Sequence, residues 1–360
     1  MLNEIGSNFW ISPEDIQVGG YLVPPDNFGC AGSDYVWMST GRSAIALVLD
    51  TIEARNPNIS KIAVISPFTC HTVIEPFLVR GYELHTYHVN TQLMAKSDDI
   101  LKAIKKYNAG VVLIHRYFGI NTIPYIDAIT PYLKSLGIEF IEDCTQTMYS
   151  TFMKANADYY VGSIRKWCGV PDGGFAVCKI GTFDNKPTSF DNKLQNMKKR
   201  ASLEKYEFVF EGKGDKQDFL NHYREAENIL DFQNNYYAIS DLSINIQSHL
   251  NIEKMKNVRR RNFSIISEGI SDMTDIEVIF KELNIDEIPL YCPVLCKDRK
   301  VVQSLLVRNA IFAPVVWPKA DCCPNVDVDS EYLYNHILCI PIDQRYDLDD
   351  MDRIIKVLKS

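Results

Sequence analysis

The chain has 360 residues, 46% hydrophobic and 23% charged, ordinary globular values that exclude a disordered or collagen-like polymer. Its 46 acidic residues outnumber 38 basic ones, giving a net charge of −8, which argues against nucleic acid as a partner because phosphate backbones need concentrated Lys and Arg. No apolar run approaches the roughly 20 residues of a membrane helix, and the start, Met1 to Ser7, has an acid and neither a basic nor a long apolar segment. No membrane association and a cytoplasmic location are therefore expected.

From Tyr35 onward, short apolar runs alternate with helical stretches. Val36-Trp37-Met38 leads into a helix over Ser43 to Leu49, and Ile62 to Ile65 reads as a buried strand ended by Ser66-Pro67. Glu83 to Val89 predicts a strand, Asp98 to Lys106 an amphipathic helix, and Val111 to Ile114 a strand. Pro124 to Leu136 predicts a helix, and Glu139-Phe140-Ile141 a strand closed by Glu142-Asp143. Tyr159-Tyr160-Val161 and Phe175 to Cys178 complete the series. Continuous apolar strands separated by helices imply an α/β fold with a mostly parallel central sheet covered on both faces.

Beyond Gly181 the texture changes. Residues 182–235 are polar, with Lys198-Lys199-Arg200 and Glu225-Ala226-Glu227 clusters, and read as a solvated helical excursion. A helix pattern from Asp241 to Arg261 precedes strand signals at Leu290 to Val294 and Ala313 to Trp317. The chain closes on an amphipathic helix, Leu348 to Leu358, with Asp347, Asp349 and Asp350 at its start, where acids suit the helix dipole. The expected organisation is a large domain over 1–245, with an N-terminal extension 1–30 and the variable region 182–235, and a small C-terminal α+β domain over 246–360. The ten cysteines are scattered, and Cys30, Cys70, Cys144, Cys168 and Cys178 adjoin apolar runs as buried reduced thiols do. Cys292-x3-Cys296 and Cys322-Cys323 lack zinc-knuckle spacing and a partner His, so no metal site is expected.

In open α/β sheets ligands sit beyond the carboxyl ends of the strands. The polar groups there are Gly41-Arg42-Ser43, Phe68-Thr69-Cys70-His71, His115-Arg116-Tyr117-Phe118-Gly119, Asp143-x-x-Gln146 and Ser163-x-x-Lys166. Asp143 ends a buried strand and needs a cation, or else serves only as a cap or structural ion pair. Lys166 could lose its proton by desolvation and attack a carbonyl; the plainer alternative is a surface loop lysine. Gly41-Arg42-Ser43 opens a helix where free amides attract phosphate, although Ser43 could be a simple N-cap. His71 could present a flat ring to a ligand. A phosphate seat, an acid for a ring nitrogen and a lysine for an aldehyde are the three groups that pyridoxal 5′-phosphate (PLP) requires.

On these residues the sequence resembles the DegT/DnrJ/StrS sugar aminotransferases, with fold-type-I PLP architecture. The carrying block is Ile141-Glu142-Asp143-Cys144-Thr145-Gln146, then Ser163-Ile164-Arg165-Lys166, then Asp172-Gly173-Gly174, with Gly173 seven residues after Lys166. Further similarity lies at Ser66 to Thr69, His115 to Gly119, Pro314 to Pro318 and Ile340 to Tyr346. The resemblance implies that Lys166 binds the cofactor's aldehyde, Asp143 the pyridinium nitrogen and Gln146 the phenolic oxygen. Gly41, Arg42, Ser43 and Ser163 would hold the phosphate, and His71 would stack on the ring. The chain departs from the family in three ways. Ser163 stands three rather than five residues before the lysine, the usual stacking aromatic falls near Cys70 or His71, and the cross-subunit Asn-Tyr-Arg element is reduced to Asn234-Asn235-Tyr236-Tyr237, leaving Asn235 as the cofactor contact.

The resemblance thus implies a homodimeric aminotransferase that moves an amino group from glutamate to a keto substrate, with a nucleotide-linked keto sugar as acceptor. Arg116, Arg165 and the Lys198-Lys199-Arg200 cluster are the cations available to its two phosphates. The rivals are another PLP reaction, of decarboxylase or aldolase type, and a non-catalytic protein of the same fold.

Overall fold

A computed structural model describes residues 4–16, 19–231, 236–324 and 326–360. Strand β1 (Ile5–Gly6) stands apart at the N-terminus. Seven strands follow: β2 (Asp34–Met38), β3 (Ile62–Ile65), β4 (Glu83–Thr86), β5 (Val111–His115), β6 (Glu139–Asp143), β7 (Tyr159–Ser163) and β8 (Gly174–Cys178). They form one sheet in the order β2-β8-β7-β6-β5-β3-β4. Pairing is parallel from β4 through β7, and β8 runs antiparallel to both of its neighbours.

Strand alternation explains why these strands are apolar throughout. Val64, Val112, Ile114, Phe140 and Tyr160 enter one core, whereas Ala63, Ile65, Val111, Leu113, Ile141 and Val161 enter another. Helix α3 (Ser97–Tyr107) supplies Ile100, Ala103 and Ile104 to the first core. The second is covered by α1 (Gly41–Arg55) and α2 (His71–Val79), through Ile45, Val48, Ile52, Ile74 and Phe77.

Several expected elements are shorter than the pattern suggested. The strand expected to reach Val89 stops at Thr86, and the helix expected over Pro124 to Leu136 is a 3₁₀ turn (Ile126–Ile129) followed by α4 (Thr130–Ser135). Pro131 at the first turn of α4 fixes where that helix can begin. The polar region folds into a hairpin of α5 (Asn192–Tyr206) and α6 (Lys216–Asp231). The pattern from Asp241 to Arg261 is two helices, α7 (Asp241–Ser248) and α8 (Ile252–Gly269), because the Asn251 side chain caps Lys254 N–H and starts the second one afresh.

The C-terminal part holds β9 (Ile276–Val278), β10 (Cys292–Cys296), α9 (Arg299–Arg308), β11 (Ile311–Phe312), α10 (Val328–His336), β12 (Ile337–Ile340) and α11 (Leu348–Leu358). Its antiparallel sheet has the order β12-β10-β9. The strand expected over Ala313 to Trp317 is irregular backbone after β11. Strand β1 pairs with β11 in parallel, and Ile5 enters the core of this C-terminal part. The start of the N-terminal extension therefore packs away from the seven-stranded sheet.

Gly173 and Gly174 set the antiparallel strand against the start of α1. Gly173 has φ +133°, and a Cβ on Gly174 would lie 2.2 Å from the Thr40 carbonyl carbon and 2.5 Å from Gly41 N. Gly174→Ala should therefore cost ~2 kcal/mol or more, by forcing β8 and α1 apart. Thermal unfolding of the variant checks this, and an unchanged midpoint would contradict the close approach.

Candidate active site

Asp143 and His115 are the last residues of adjacent parallel strands and lie side by side in register. Alternation places both on the face covered by α1 and α2, whereas Glu142 turns to the opposite face. There Glu142 is wholly buried and pairs with buried Arg116 at 3.2 Å, while its other oxygen accepts the Ala155 N–H at 2.6 Å. Arg116 was expected as a cation for substrate phosphates. The structure corrects that expectation, since the guanidinium is committed to Glu142 on the far side of the sheet.

Asp143 is 8% exposed. One oxygen accepts the Thr145 N–H at 2.8 Å, and among the described residues no cation pairs with it. Burial pushes its carboxyl above the usual range, the Thr145 bond partly offsets this, and the Glu142 charge adds to the rise. An uncompensated buried carboxylate is costly, so the site is suited to a cationic ligand group.

Gln146 is buried, and its Oε1 accepts the Phe118 N–H at 2.5 Å. That bond leaves the amide NH2 as the donor that a ligand oxygen could use. Phe118 takes φ +54° and Gly119 φ +90°, and a Cβ on Gly119 would lie 1.8 Å from the Ile288 carbonyl oxygen. The His115 to Gly119 motif thus builds the turn that orients Gln146.

Lys166 ends a 3₁₀ turn, Ile164–Lys166, which carries its side chain out to an exposed position. The desolvated lysine expected at a strand end is therefore an accessible one in this chain, and among the described residues its amine has no hydrogen-bond or ion-pair partner. The next residue is held firmly. Trp167 Nε1 donates to the Thr145 carbonyl at 2.7 Å, tying the lysine turn to the Asp143 loop. Gln344 donates to the Trp167 carbonyl at 2.7 Å. Arg259, wholly buried, lies 4.8 Å over the indole ring and donates to Gln344 at 3.0 Å.

At the start of α1 the N-cap is Thr40, not Ser43: Thr40 Oγ1 accepts the Ser43 N–H at 3.0 Å and lies 2.8 Å from Ser43 Oγ. Arg42 turns from the helix start, pairing with Glu75 at 2.8 Å and donating to the Leu230 carbonyl at 2.7 Å. Gly41 packs against the end of β7, where a Cβ would meet Ser163 Cβ at 3.4 Å. Ser163 donates to the Gly173 carbonyl at 3.1 Å. The two segments expected to share a phosphate therefore do meet, although both hydroxyls already have protein partners. Asp172 is fully buried and accepts from Ser240 Oγ at 2.6 Å, Ser243 Oγ at 2.5 Å and Gln195 Nε2 at 2.7 Å, anchoring the glycine turn.

His71, exposed at the start of α2, lines an open cleft of about 360 Å³ with Cys70, Trp317, Lys319, Asp321 and Cys322. That volume lies at the low end of the roughly 300–1,000 Å³ usual for ligand pockets. Trp317 packs edge-on against His115, with ring centroids 5.6 Å apart, linking the cleft to the Asp143 strand end. Sequence reasoning missed this loop as a wall, although Trp317 stood in a recognised block. Asn235 lies outside the described residues.

The chain has the fold of the fold-type-I PLP-dependent transferases, by likeness to solved structures. A sugar aminotransferase, CalS13 from Micromonospora echinospora, superposes with TM-score 0.67 at 16% identity, covering 100% of this chain and 99% of that one. A DegT DnrJ EryC1 StrS aminotransferase from Brucella abortus gives 0.64 at 16%, covering 94% and 91%. Ntda from Bacillus subtilis, with bound cofactor PMP, gives 0.64 at 14%, covering 90% and 72%. No protein-family model matches the chain, and no curated protein does.

Burial lowers His115 from the usual 6.5 to about 4, partly offset by its bond to the Phe68 carbonyl at 3.1 Å. A carbonyl can only accept, so Nε2 carries the proton of a neutral ring. The unfolded chain takes up a proton near pH 6.5 and the folded chain only near pH 4, so stability is lost as pH falls through that window. Between pH 7.5 and 5 the His115 contribution should fall by about 2 kcal/mol. Urea unfolding of wild type and His115→Gln at both pH values checks this: the variant should lose less, and equal losses would refute a buried neutral imidazole.

Proposed function

We propose that this chain is a PLP-dependent aminotransferase that acts on a nucleotide-linked keto sugar, uses glutamate as amino donor, and works as a cytoplasmic homodimer. The observation that carries the reading is Asp143, a buried carboxylate with no cation paired to it among the described residues, beside a lysine turn tied to its loop through Trp167 and Thr145. The donor set fits the cofactor. Asp143 would hold a proton on the ring nitrogen, and the Gln146 amide would donate to the phenolic oxygen. The glycine-opened start of α1, with Ser43 and Ser163, would seat the phosphate. Arg42 would need to leave Glu75 to join them, and Asn235 is proposed as a further contact. His71 would cover the ring from the cleft side.

Bound, the cofactor supplies an aldehyde that accepts the amino group and a ring that draws electrons from the reacting carbon. Lys166 would bind that aldehyde, and its amine, when free, would carry a proton from the substrate Cα to the carbon that bore the aldehyde, as general base and then acid. Asp143 would keep the ring cationic while that proton moves. The small cleft by His71 and Trp317 would take the acceptor's sugar ring, since the face of an indole ring suits the apolar C–H face of a sugar.

Borohydride reduction of the yellow protein should attach the pyridoxyl group to Lys166, as read by peptide mass spectrometry; an adduct on another lysine would overturn the assignment. Asp143→Asn should retain the fold and slow conversion of glutamate to 2-oxoglutarate by roughly 10²-fold or more, with a smaller effect on cofactor affinity. Turnover near wild type in that variant would remove the acid's role. Protein loaded as pyridoxamine phosphate should be discharged by nucleotide-linked keto sugars; discharge by small keto acids alone would reject the sugar acceptor.

A further inference from the structure

The α5–α6 hairpin lies against the turn that carries Lys166. Lys198 on α5 is only 3% exposed and reaches Glu227 Oε1 on α6 at 2.5 Å. Arg165, the residue before Lys166, donates to the same oxygen at 2.9 Å. One carboxylate oxygen thus serves two cations from two elements, with Lys166 close enough to act on both Lys198 and Glu227. Three cations meet one acid. Within the same basic run, Arg200 is engaged elsewhere, pairing with Glu204 at 2.8 Å.

Exposure within the cluster is unequal. The Lys198 side chain is 4% exposed and Arg165 27%, whereas the Glu227 side chain is 55% exposed. The cations belong to the wall, and the acid is the half-solvated member reaching in from the hairpin. A partly exposed ion pair contributes little, whereas a buried ammonium left with no anion is costly. The wall therefore requires an anion, and this particular carboxylate is replaceable. Electrostatics agrees: burial and then the Arg165 charge push Lys198 down to about 7 even with Glu227 in contact. Burial would raise Glu227, but Arg165 and Lys198 outweigh it and hold the acid at about 2.

We propose that Arg165 and Lys198 form an anion seat beside Lys166 for a phosphate of the acceptor, and that Glu227 occupies this seat in the free protein as a built-in competitor. The proposal deepens the sugar-nucleotide reading by naming the residues that would take its diphosphate. A phosphate oxygen would accept the donors that Glu227 Oε1 now accepts, and Glu227 would swing to solvent with its hairpin.

The test is calorimetric titration of the PLP-loaded protein with inorganic pyrophosphate, with 2-oxoglutarate as the carboxylate control. Glu227→Gln, which removes the competing charge but keeps a hydrogen-bonding oxygen, should bind pyrophosphate about tenfold more tightly than wild type. Lys198→Met and Arg165→Gln should each weaken it by about tenfold or more. Thermal unfolding confirms that each variant is folded, and Glu227→Gln alone decides if Lys198→Met is not. Unchanged or weaker binding by Glu227→Gln would overturn the competitor. Release of PLP by pyrophosphate would show that the seat is the cofactor's, and equally tight, equally Glu227-sensitive binding of 2-oxoglutarate would assign it to the amino donor; either sinks the proposal. If the protein takes up no PLP, the aminotransferase reading fails on its own, and the same titrations on the cofactor-free protein still decide the seat.

Discussion

Asp143 sits at the end of a central strand with one oxygen satisfied by a backbone N–H and, among the described residues, no cation opposite it. Folding tolerates such a group only if the surroundings supply hydrogen bonds or if a ligand completes the charge balance. Much of the nearby structure follows from that requirement. Thr145 is turned to donate its N–H, and its carbonyl then holds Trp167, the residue next to Lys166. The acid and the lysine turn are therefore linked through a single residue of one loop.

The sheet separates two acids that adjoin in sequence. Glu142 and Asp143 face opposite sides because successive strand residues alternate. Glu142 is neutralised by Arg116 and bonded to Ala155 N–H, whereas Asp143 is left open toward the cleft side. The Glu142 charge raises Asp143 through the sheet, and removing Arg116 would leave that charge uncompensated close behind the open acid. Buried pairs of this kind add little net stability, but breaking one is expensive.

The C-terminal part reaches the lysine turn through Trp167. Gln344 and Arg259 converge on the Trp167 carbonyl and ring, and Asp343 pairs with Arg345 at 2.7 Å. Gln344, Asp343 and Arg345 all lie in the Ile340 to Tyr346 block that the family resemblance marks without a role. Gln344 braces the lysine turn from outside the seven-stranded sheet, whereas Arg345, paired with Asp343, holds the N-terminal segment through the Ser7 and Asn8 carbonyls. On the opposite flank, Asp172 ties the same turn to α5 and α7 through Gln195, Ser240 and Ser243.

Apolar periodicity made the strands of the large sheet, helices α1 and α3 and the closing helix legible, because local burial dictates local pattern. The strand-end polar residues were legible for the same reason: Asp143, Gln146 and Lys166 interrupt apolar runs where a merely structural chain would have no need of them. The antiparallel course of β8 was not, since a buried strand reads alike in either direction, and β1 was missed because its partner lies some three hundred residues away. Side-chain commitments were also closed to sequence reasoning. Arg116 and Arg165 each stand beside a motif residue, yet one is spent on Glu142 across the sheet and the other on Glu227 in a distant hairpin. Which residue types stand at which strand ends was decided by the sequence by itself. Which of those charges face a ligand, and which face each other, was decided only by tertiary structure, because ion pairing depends on distances that spacing along a chain does not set.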